Sequence, residues 1–132
     1  MRQRGRIEKR RQLASRYFER WSDNHTLRLP ARGDAGHSWH IFAPLLPLER
    51  LHITRIEFIE AMKEHGIGVG VHYPALHPFT AYAGFEYRQG MFPNAERVGR
   101  ETVTLPLFPG MERNDVDTVV DTVTDVLQRA SK

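Results

Sequence analysis

A glycine-punctuated segment near the middle of the chain reads Gly66-Ile67-Gly68-Val69-Gly70-Val71-His72-Tyr73-Pro74-Ala75-Leu76-His77. Gly66 follows an amphipathic run, where a left-handed glycine commonly ends a helix. Val69 and Val71 favour a short strand. A proline follows both Tyr73 and His77 and biases each toward extended geometry. The segment therefore predicts a helix end, a strand and a rigid polar loop that forms a wall for a polar ligand. A plain surface loop is the alternative.

The composition is that of an ordinary globular domain. The chain has 132 residues, of which 40% are hydrophobic and 27% charged, enough for one domain with a modest core. It has no cysteine, which excludes a disulfide framework, a thiolate zinc site and a cysteine nucleophile. No apolar run approaches the ~20 residues of a bilayer span, and no signal peptide is evident. We therefore expect a cytoplasmic protein with no membrane partner.

The positive charge is concentrated at the N terminus. Residues 1–20 hold eight basic and two acidic side chains, whereas the other 112 residues hold 11 basic and 14 acidic ones. The apolar residues of segment 6–21 recur at helical spacing and form one face of a predicted helix. A nucleic-acid-binding domain would carry basic residues across its fold. The charge pattern therefore disfavours nucleic acid as a partner, and a basic-arm nucleic-acid binder ranks last among the function hypotheses.

Periodicity predicts four helices and three strands. The helices cover residues 6–21, 54–65, 93–99 and 112–128, and the strands lie at 37–44, 69–71 and 102–105. This order predicts an α/β (α+β) sandwich in which a small three-stranded, mostly antiparallel sheet has helices packed on one face. The N-terminal and C-terminal helices are the long ones.

Local signals support the predictions of the second helix and of the last helix. Thr54 and Glu57 form a T-x-x-E capping box at the start of the second helix, whose buried stripe is predicted to comprise Ile56, Phe58, Ile59 and Met62. The last helix has strand-forming composition, but its apolar residues follow helical spacing. These residues are Val116, Val119, Val120, Val123 and Leu127. Asn114 or Asp115 is expected to cap it.

Two further features suggest possible sites. His37 and His40 form an H-x2-H pair, but on a strand their side chains would point to opposite faces and no third ligand is evident. No metal site is therefore expected. Residues 78–92 have no clean period and contain several aromatic residues. A loop of this length is usually functional, and its aromatic residues call for a covering surface such as a partner chain.

Several groups of residues resemble one family in order and spacing. Residues 66–74 with His77 resemble the G-I-G-T-G-V-H-Y-P-x-x-H signature of DegT/DnrJ/StrS-type sugar aminotransferases. Residues 92–97 (Phe-Pro-Asn-Ala-Glu-Arg) resemble that family's F-P-x-A-E-R, and residues 104–120 resemble its L-S-L-P-L-F-P-G-M…D-V-D-x-V-V ending. The Arg-rich helix and Trp39-His40 also fall where the family has similar features. The resemblance covers essentially the whole chain.

The resemblance implies a pyridoxal-phosphate enzyme of aspartate aminotransferase fold type I, which transfers an amino group to a keto sugar on a nucleotide. Residues 1–132 resemble only the C-terminal small domain of such an enzyme, as a single domain. We therefore expect residues 1–132 to lack the large domain, which in the family carries the cofactor site and the Schiff-base lysine. Amino-sugar, polysaccharide or antibiotic-sugar biosynthesis would be the setting. The family implies a nucleotide-sugar substrate and the large domain as a partner in cis or in trans. The exposed aromatic residues of segment 79–92 predict a homo-oligomer, with a dimer as its simplest form.

The lysines of the chain bear on whether it transaminates alone. A Schiff base needs a desolvated or otherwise deprotonated amine. The candidates are Lys9 among arginines, Lys63 on the polar side of a helix and Lys132 at the last position. None follows a loop that would hold a cofactor phosphate. We therefore expect no catalytic residue in this chain, no bound pyridoxal phosphate and no activity of the chain alone.

The resemblance carries substrate-site roles onto four residues. His72, Tyr73 and His77 match the family loop that faces the substrate, and Tyr82 replaces one of the tyrosines of its L-Q-P-Y-Y continuation. Imidazole and phenol groups hydrogen-bond to sugar hydroxyls and diphosphate oxygens. Anchoring of the loop is the alternative role for these side chains. The alternative for the whole chain is a free-standing, non-catalytic module that forms homo-oligomers or binds nucleotide sugars.

Overall fold

A computed structural model describes the backbone of residues 2–22 and 26–132 and the side chains from residue 5 onward within those ranges. It contains α1 (Arg2–Arg20), α2 (Arg55–Glu64), α3 (Pro93–Glu101) and α4 (Arg113–Arg129). Two 3-10 turns lie at Leu48–Arg50 and Thr80–Tyr82. The predicted helices are confirmed, with boundaries shifted by a few residues.

The core forms where α1 and α4 pack against each other and α2 packs against α4. Aromatic rings of α1 lie at its centre. Tyr17 stacks on Phe42 with ring centroids 4.6 Å apart, and Phe18 meets Phe42 edge-on at 5.3 Å. The Tyr17 hydroxyl donates to the Pro106 carbonyl at 2.8 Å, so its one polar group is satisfied inside the core.

The helical period of α4 is confirmed despite its strand-forming composition. All five apolar residues of the predicted stripe are buried, namely Val116, Val119, Val120, Val123 and Leu127. The predicted cap, Asn114 or Asp115, is wrong by two or three positions. Glu112 is the N-cap, and its N–H donates to Asp115 Oδ2 at 2.7 Å. Burial of one face therefore outweighs intrinsic propensity in this helix.

Helix α2 begins and ends as predicted. The Thr54 hydroxyl accepts from the Glu57 N–H at 3.2 Å, and the Glu57 carboxylate accepts from the Thr54 N–H at 2.7 Å. Gly66 follows the helix with φ of +76°, a conformation that glycine adopts without steric cost. Phe58 and Met62 are buried.

The prediction that all four residues of the α2 stripe lie on the buried face is wrong for one of them. Ile56 is 67% exposed. It lies two positions from Phe58, which places it about 200° around the helix from that buried side chain. The buried face therefore follows the Phe58–Met62 row, and Ile56 lies on the solvent side.

The predicted three-stranded sheet is wrong. The described residues form no strand, and the fold is mostly helical, with extended segments joined by isolated antiparallel bridges. These bridges pair Phe42 with Leu105, Leu45 with Thr102, Gly70 with Thr104, Arg28 with Leu45, and Leu51 with Ser131. The segments expected to be strands therefore lie side by side in part, but they do not form a continuous ladder.

The backbone of segment 37–44 explains why its predicted strand does not form. Trp39 has φ of +48°, which breaks the extended geometry of a strand. The His37 ring accepts a hydrogen bond from the Trp39 N–H at 3.1 Å, a local contact that competes with ladder pairing. Pro44 has no N–H to donate. Single bridges are what this segment can form.

Ion pairs join the basic face of α1 to α4. The Arg16 guanidinium contacts both Asp117 oxygens, at 2.8 and 2.9 Å, and Arg20 reaches Asp117 at 2.9 Å. Lys9 reaches the Glu112 carboxylate at 3.0 Å. Part of the N-terminal positive charge is therefore neutralised within the fold. No described helix is long and apolar enough to cross a membrane.

Candidate functional site

The predicted site loop starts from a bridge between two extended segments. Gly70 and Thr104 exchange backbone hydrogen bonds of 3.0 and 2.8 Å. The Thr104 hydroxyl also lies 2.9 Å from His72 Nδ1. A Cβ atom at Gly70 would lie 2.9 Å from the His72 ring, so the glycine makes room for the imidazole. Thr104 and Gly70 together fix the His72 side chain.

Tyr73 lies next to His72 and projects from the surface. Its ring is 4.9 Å from the His72 ring in an edge-on contact, and the residue is 69% exposed. The structure therefore brings these two predicted site residues together. An exposed phenol beside a half-buried imidazole presents hydrogen-bonding groups to whatever lies over this surface.

His77 lies in a more enclosed position. Its side chain is 8% exposed, and its Nε2 atom lies 3.0 Å from Glu96 Oε1. The edge of the ring meets the Phe92 ring at 5.1 Å. His77 therefore joins the start of the loop to α3, which carries Glu96.

The Glu96 carboxylate has further donors. Its Oε1 atom accepts from the Gly90 N–H at 2.7 Å and from the Phe92 N–H at 3.4 Å. Desolvation, the largest single influence, raises the pKa of Glu96, but the hydrogen bonds from Gly90, Phe92 and His77 together outweigh it. The pKa of Glu96 is therefore lowered from its ordinary value, and the carboxylate is the stable form at neutral pH.

Tyr82 lies at the far end of a row of aromatic rings, 37% exposed and at the end of a 3-10 turn. Its ring is 6.3 Å from Phe85, which stacks on Tyr87 at 5.6 Å. Tyr87 in turn meets Phe92 edge-on at 5.7 Å. We call Tyr82, Phe85, Tyr87 and Phe92 the aromatic row. Tyr82 and His77 are thus connected through the other three rings of the row.

Two residues at this site were missed by the prediction from sequence. Glu96 belongs to the Phe-Pro-Asn-Ala-Glu-Arg motif, so the motif itself could have singled it out. Thr104 opens the motif of residues 104–120, but a threonine in an extended segment is ordinary and nothing in the motif pointed to a contact with His72. Each contacts a residue that is distant in sequence. Glu96 lies 19 positions from His77, and Thr104 lies 32 positions from His72.

Two of the larger cavities lie away from these residues. One of about 520 Å³ is lined by residues near the C terminus, including Arg50 and Ser131. Another of about 530 Å³ lies between Gly68, Phe108 and α4. Neither includes His72, Tyr73, His77 or Tyr82. These two cavities are therefore not part of the predicted site, whose His72–Tyr73 portion is an open surface in this chain.

The lysines do not fit a Schiff-base role. Lys9 contacts the Glu112 carboxylate, Lys63 is exposed, and Lys132 donates from an exposed position to the Glu49 carbonyl at 2.9 Å. A lysine amine in such surroundings is hydrated or ion-paired, whereas a Schiff base requires a free amine. The residues present therefore do not fit covalent attachment of pyridoxal phosphate. Among the described residues, no group of three or more His, Asp or Glu is placed to hold a metal.

The model of the DegT/DnrJ/EryC1/StrS aminotransferase family matches residues 2–124 of the chain. The chain belongs to this family. The resemblance inferred from residues 66–77 and 92–120 is therefore confirmed.

The curated relatives that this chain matches are about three times as long as the chain. It is 35% identical over 122 residues to the uncharacterized protein MJ1066 of Methanocaldococcus jannaschii, covering 91% of this chain and 32% of that protein. It is 34% identical over 126 residues to the spore coat polysaccharide biosynthesis protein SpsC of Bacillus subtilis, covering 93% and 32%. The chain thus spans about a third of these relatives.

Solved aminotransferase structures share the fold. DesV of S. venezuelae, solved in complex with a ketimine intermediate, matches with a TM-score of 0.82 and 27% identity, covering 96% of this chain and 33% of DesV. The sugar aminotransferase Spr1654 of Streptococcus pneumoniae, described as putative and solved in its PLP form, matches with a TM-score of 0.83 at 22% identity, covering 94% and 32%. The latter likeness bears on the fold alone.

Proposed function

We propose that this chain is the C-terminal small domain of a pyridoxal-phosphate-dependent aminotransferase that acts on nucleotide-linked keto sugars. The chain contributes one wall of the substrate cleft and has no catalytic residue of its own. A large domain, in the same polypeptide or in another, supplies the cofactor site and the Schiff-base lysine. When bound there, pyridoxal phosphate supplies the amino-transfer chemistry.

The observation that carries this proposal is the open His72–Tyr73 surface on a chain that spans a third of its relatives. A complete ligand site encloses most of its ligand, whereas Tyr73 is 69% exposed. One domain of a two-domain cleft would present only part of such a site. The absence of a suitable lysine in the chain points the same way.

Within the assembled enzyme, each predicted residue has a stated role. Tyr73 and Tyr82 donate from their hydroxyls to sugar or diphosphate oxygens, and His72 and His77 offer ring nitrogens. The rings of His72 and His77 are already held by Thr104 and Glu96, so they lose little entropy when they bind. The loop therefore orients the nucleotide sugar and leaves the proton transfers to groups of the large domain.

A domain exchange tests this function. The third of DesV that this chain matches would be replaced by this chain, and formation of 2-oxoglutarate from glutamate would be measured with pyridoxal phosphate and a nucleotide sugar on which intact DesV is first shown to act. DesV lacking that third is the control. We expect the chimera to transfer amino groups and the truncated protein to be inactive. A folded, cofactor-binding chimera with no more activity than the control would contradict the proposal.

A second candidate function is favoured by the exposed apolar side chains of segment 76–92. Leu76, Phe85 and Met91 are each more than half exposed. Exposed apolar groups in one segment are typical of an interface. A free-standing module that forms homo-oligomers, with or without binding nucleotide sugars, would use this surface between copies of the chain.

A further inference from the structure

The Glu96 carboxylate lies where the two ends of the 77–92 loop meet. His77 approaches it from the start of the loop, and Gly90 and Phe92 approach it from the end, at 3.0, 2.7 and 3.4 Å. Residues 78–92 between these contacts are all exposed. With its side chain 17% exposed, Glu96 is the enclosed polar group that closes this loop.

The accepting Glu96 oxygen determines which nitrogen of His77 carries the hydrogen. An ionised carboxylate accepts hydrogen bonds and has none to donate. Because Glu96 is ionised at neutral pH, the short contact requires a proton on His77 Nε2. In the neutral imidazole the lone pair then lies on Nδ1.

We propose that Glu96 is a positioning residue that closes the 77–92 loop and holds neutral His77 as the Nε2–H tautomer. Because Nε2 carries the hydrogen, Nδ1 is the hydrogen-bond acceptor of the His77 ring. The His77 ring, held by the Glu96 carboxylate, in turn fixes Phe92, the residue of the aromatic row that it contacts. A ligand hydroxyl would be the matching donor, a role that rests on the proposed function. The tautomer and the loop closure do not depend on it.

The effects of removing Glu96 are local and measurable. In the wild-type chain at a pH where the histidines are neutral, 15N spectra should show a slowly exchanging Nε2–H proton on His77 and a pyridine-type Nδ1. Glu96→Ala should abolish the protected ring proton and speed exchange of the Gly90 amide by about tenfold. Glu96→Gln keeps an acceptor oxygen and should retain the ring proton. Glu86→Ala, which removes an exposed carboxylate from the same loop, is the matched control and should change neither signal.

A ring proton on Nδ1 of wild-type His77 would overturn the inference. So would a Glu96→Ala chain that keeps the protected Nε2–H proton and the slow Gly90 exchange. If Glu96→Ala does not fold, the wild-type and Glu96→Gln spectra still decide the question. A chain with the expected spectra that fails to complete an aminotransferase would overturn the proposed function and leave this inference standing.

Discussion

At the scale of single residues, one threonine hydroxyl fixes the His72 ring. Thr104→Val keeps the side-chain shape but removes the partner of His72 Nδ1, which lies 2.9 Å away. We expect the free energy of unfolding to fall by about 1 kcal/mol, because a partly buried ring nitrogen loses its hydrogen bond. Urea denaturation measures the change.

Thr118→Val is the matched control, because the Thr118 hydroxyl donates to the Asn114 carbonyl within its own helix and the side chain is exposed. We expect that change to stay within about 0.5 kcal/mol of the wild type. Equal losses of unfolding free energy in the two variants would show that the hydrogen bond between the Thr104 hydroxyl and His72 does not stabilise the fold.

A buried phenol gives the stability of the fold an alkaline limit. Burial raises the pKa of Tyr17 above its ordinary value of 10.0. The unfolded chain therefore loses this proton at lower pH than the folded chain. The stability that the neutral phenol contributes is fully present below pH 10.0 and is lost as the pH rises toward the folded pKa.

Tyr17→Phe should lower the unfolding free energy at pH 7 by about 1–2 kcal/mol, because the Pro106 carbonyl loses its donor. It should also remove part of the decline in stability above pH 10. Urea denaturation at pH 7, 9 and 11 measures both effects. A variant whose stability declines with pH as steeply as the wild type would show that Tyr17 does not set this limit.

At the scale of elements, the α1–α4 contact depends on Asp117. The Arg16 hydrogen bond lowers the pKa of Asp117; desolvation opposes it, and Arg20 lowers the pKa further. Because the folded pKa is lowered, the contribution to stability is present above the ordinary value of 3.8 and is lost as the pH falls through the folded pKa.

Asp117→Asn should therefore lower the unfolding free energy by about 1 kcal/mol at pH 6. The effect exceeds that of an exposed ion pair because the side chains of Arg16 and Asp117 are each only 24% exposed. The difference from the wild type should shrink as the pH falls below 3.8. Asp125→Asn, which breaks an exposed pair within α4, should cost about 0.3–0.5 kcal/mol. An Asp117 effect no larger than that of Asp125 would contradict this account.

The helices could be predicted from sequence because their signals are local. The Thr54–Glu57 box, the glycine at position 66 and the valine period of α4 each lie within a few turns of the chain. The strands could not, because a ladder requires matched geometry in two segments. The left-handed backbone of Trp39 and the missing N–H of Pro44 reduce segment 37–44 to single bridges.

The candidate site could be predicted from sequence only in part. The loop motif made His72, Tyr73 and His77 candidates, whereas their supports, Thr104 and Glu96, depend on how distant segments approach each other. Only the three-dimensional arrangement shows that His72 and Tyr73 lie at an open surface while His77 is enclosed. Their roles toward a substrate stay a prediction.

At the scale of the whole molecule, the exposed apolar segment predicts association. The isolated chain should form dimers or larger species in sedimentation velocity at tens of micromolar, because water contact with this surface is unfavourable. Phe85→Ser should shift the distribution toward monomer. Phe108→Ser, an equally large change at an exposed position in the turn before α4, is the control and should leave it unaltered. A wild-type chain that stays monomeric would remove the support for an interface between copies.

The central claim is that the His72–Tyr73 surface contacts the sugar substrate in an assembled aminotransferase. In the active DesV chimera, the decisive measurement is kcat/KM for the nucleotide sugar and, separately, for glutamate. Tyr73→Phe should lower the value for the nucleotide sugar about tenfold, the loss of one hydrogen bond, and leave the value for glutamate unchanged. Tyr87→Phe, which removes the hydroxyl of another exposed tyrosine, should change neither. Equal sugar kinetics in the two variants, or an equal loss for both substrates with Tyr73→Phe, would contradict the claim.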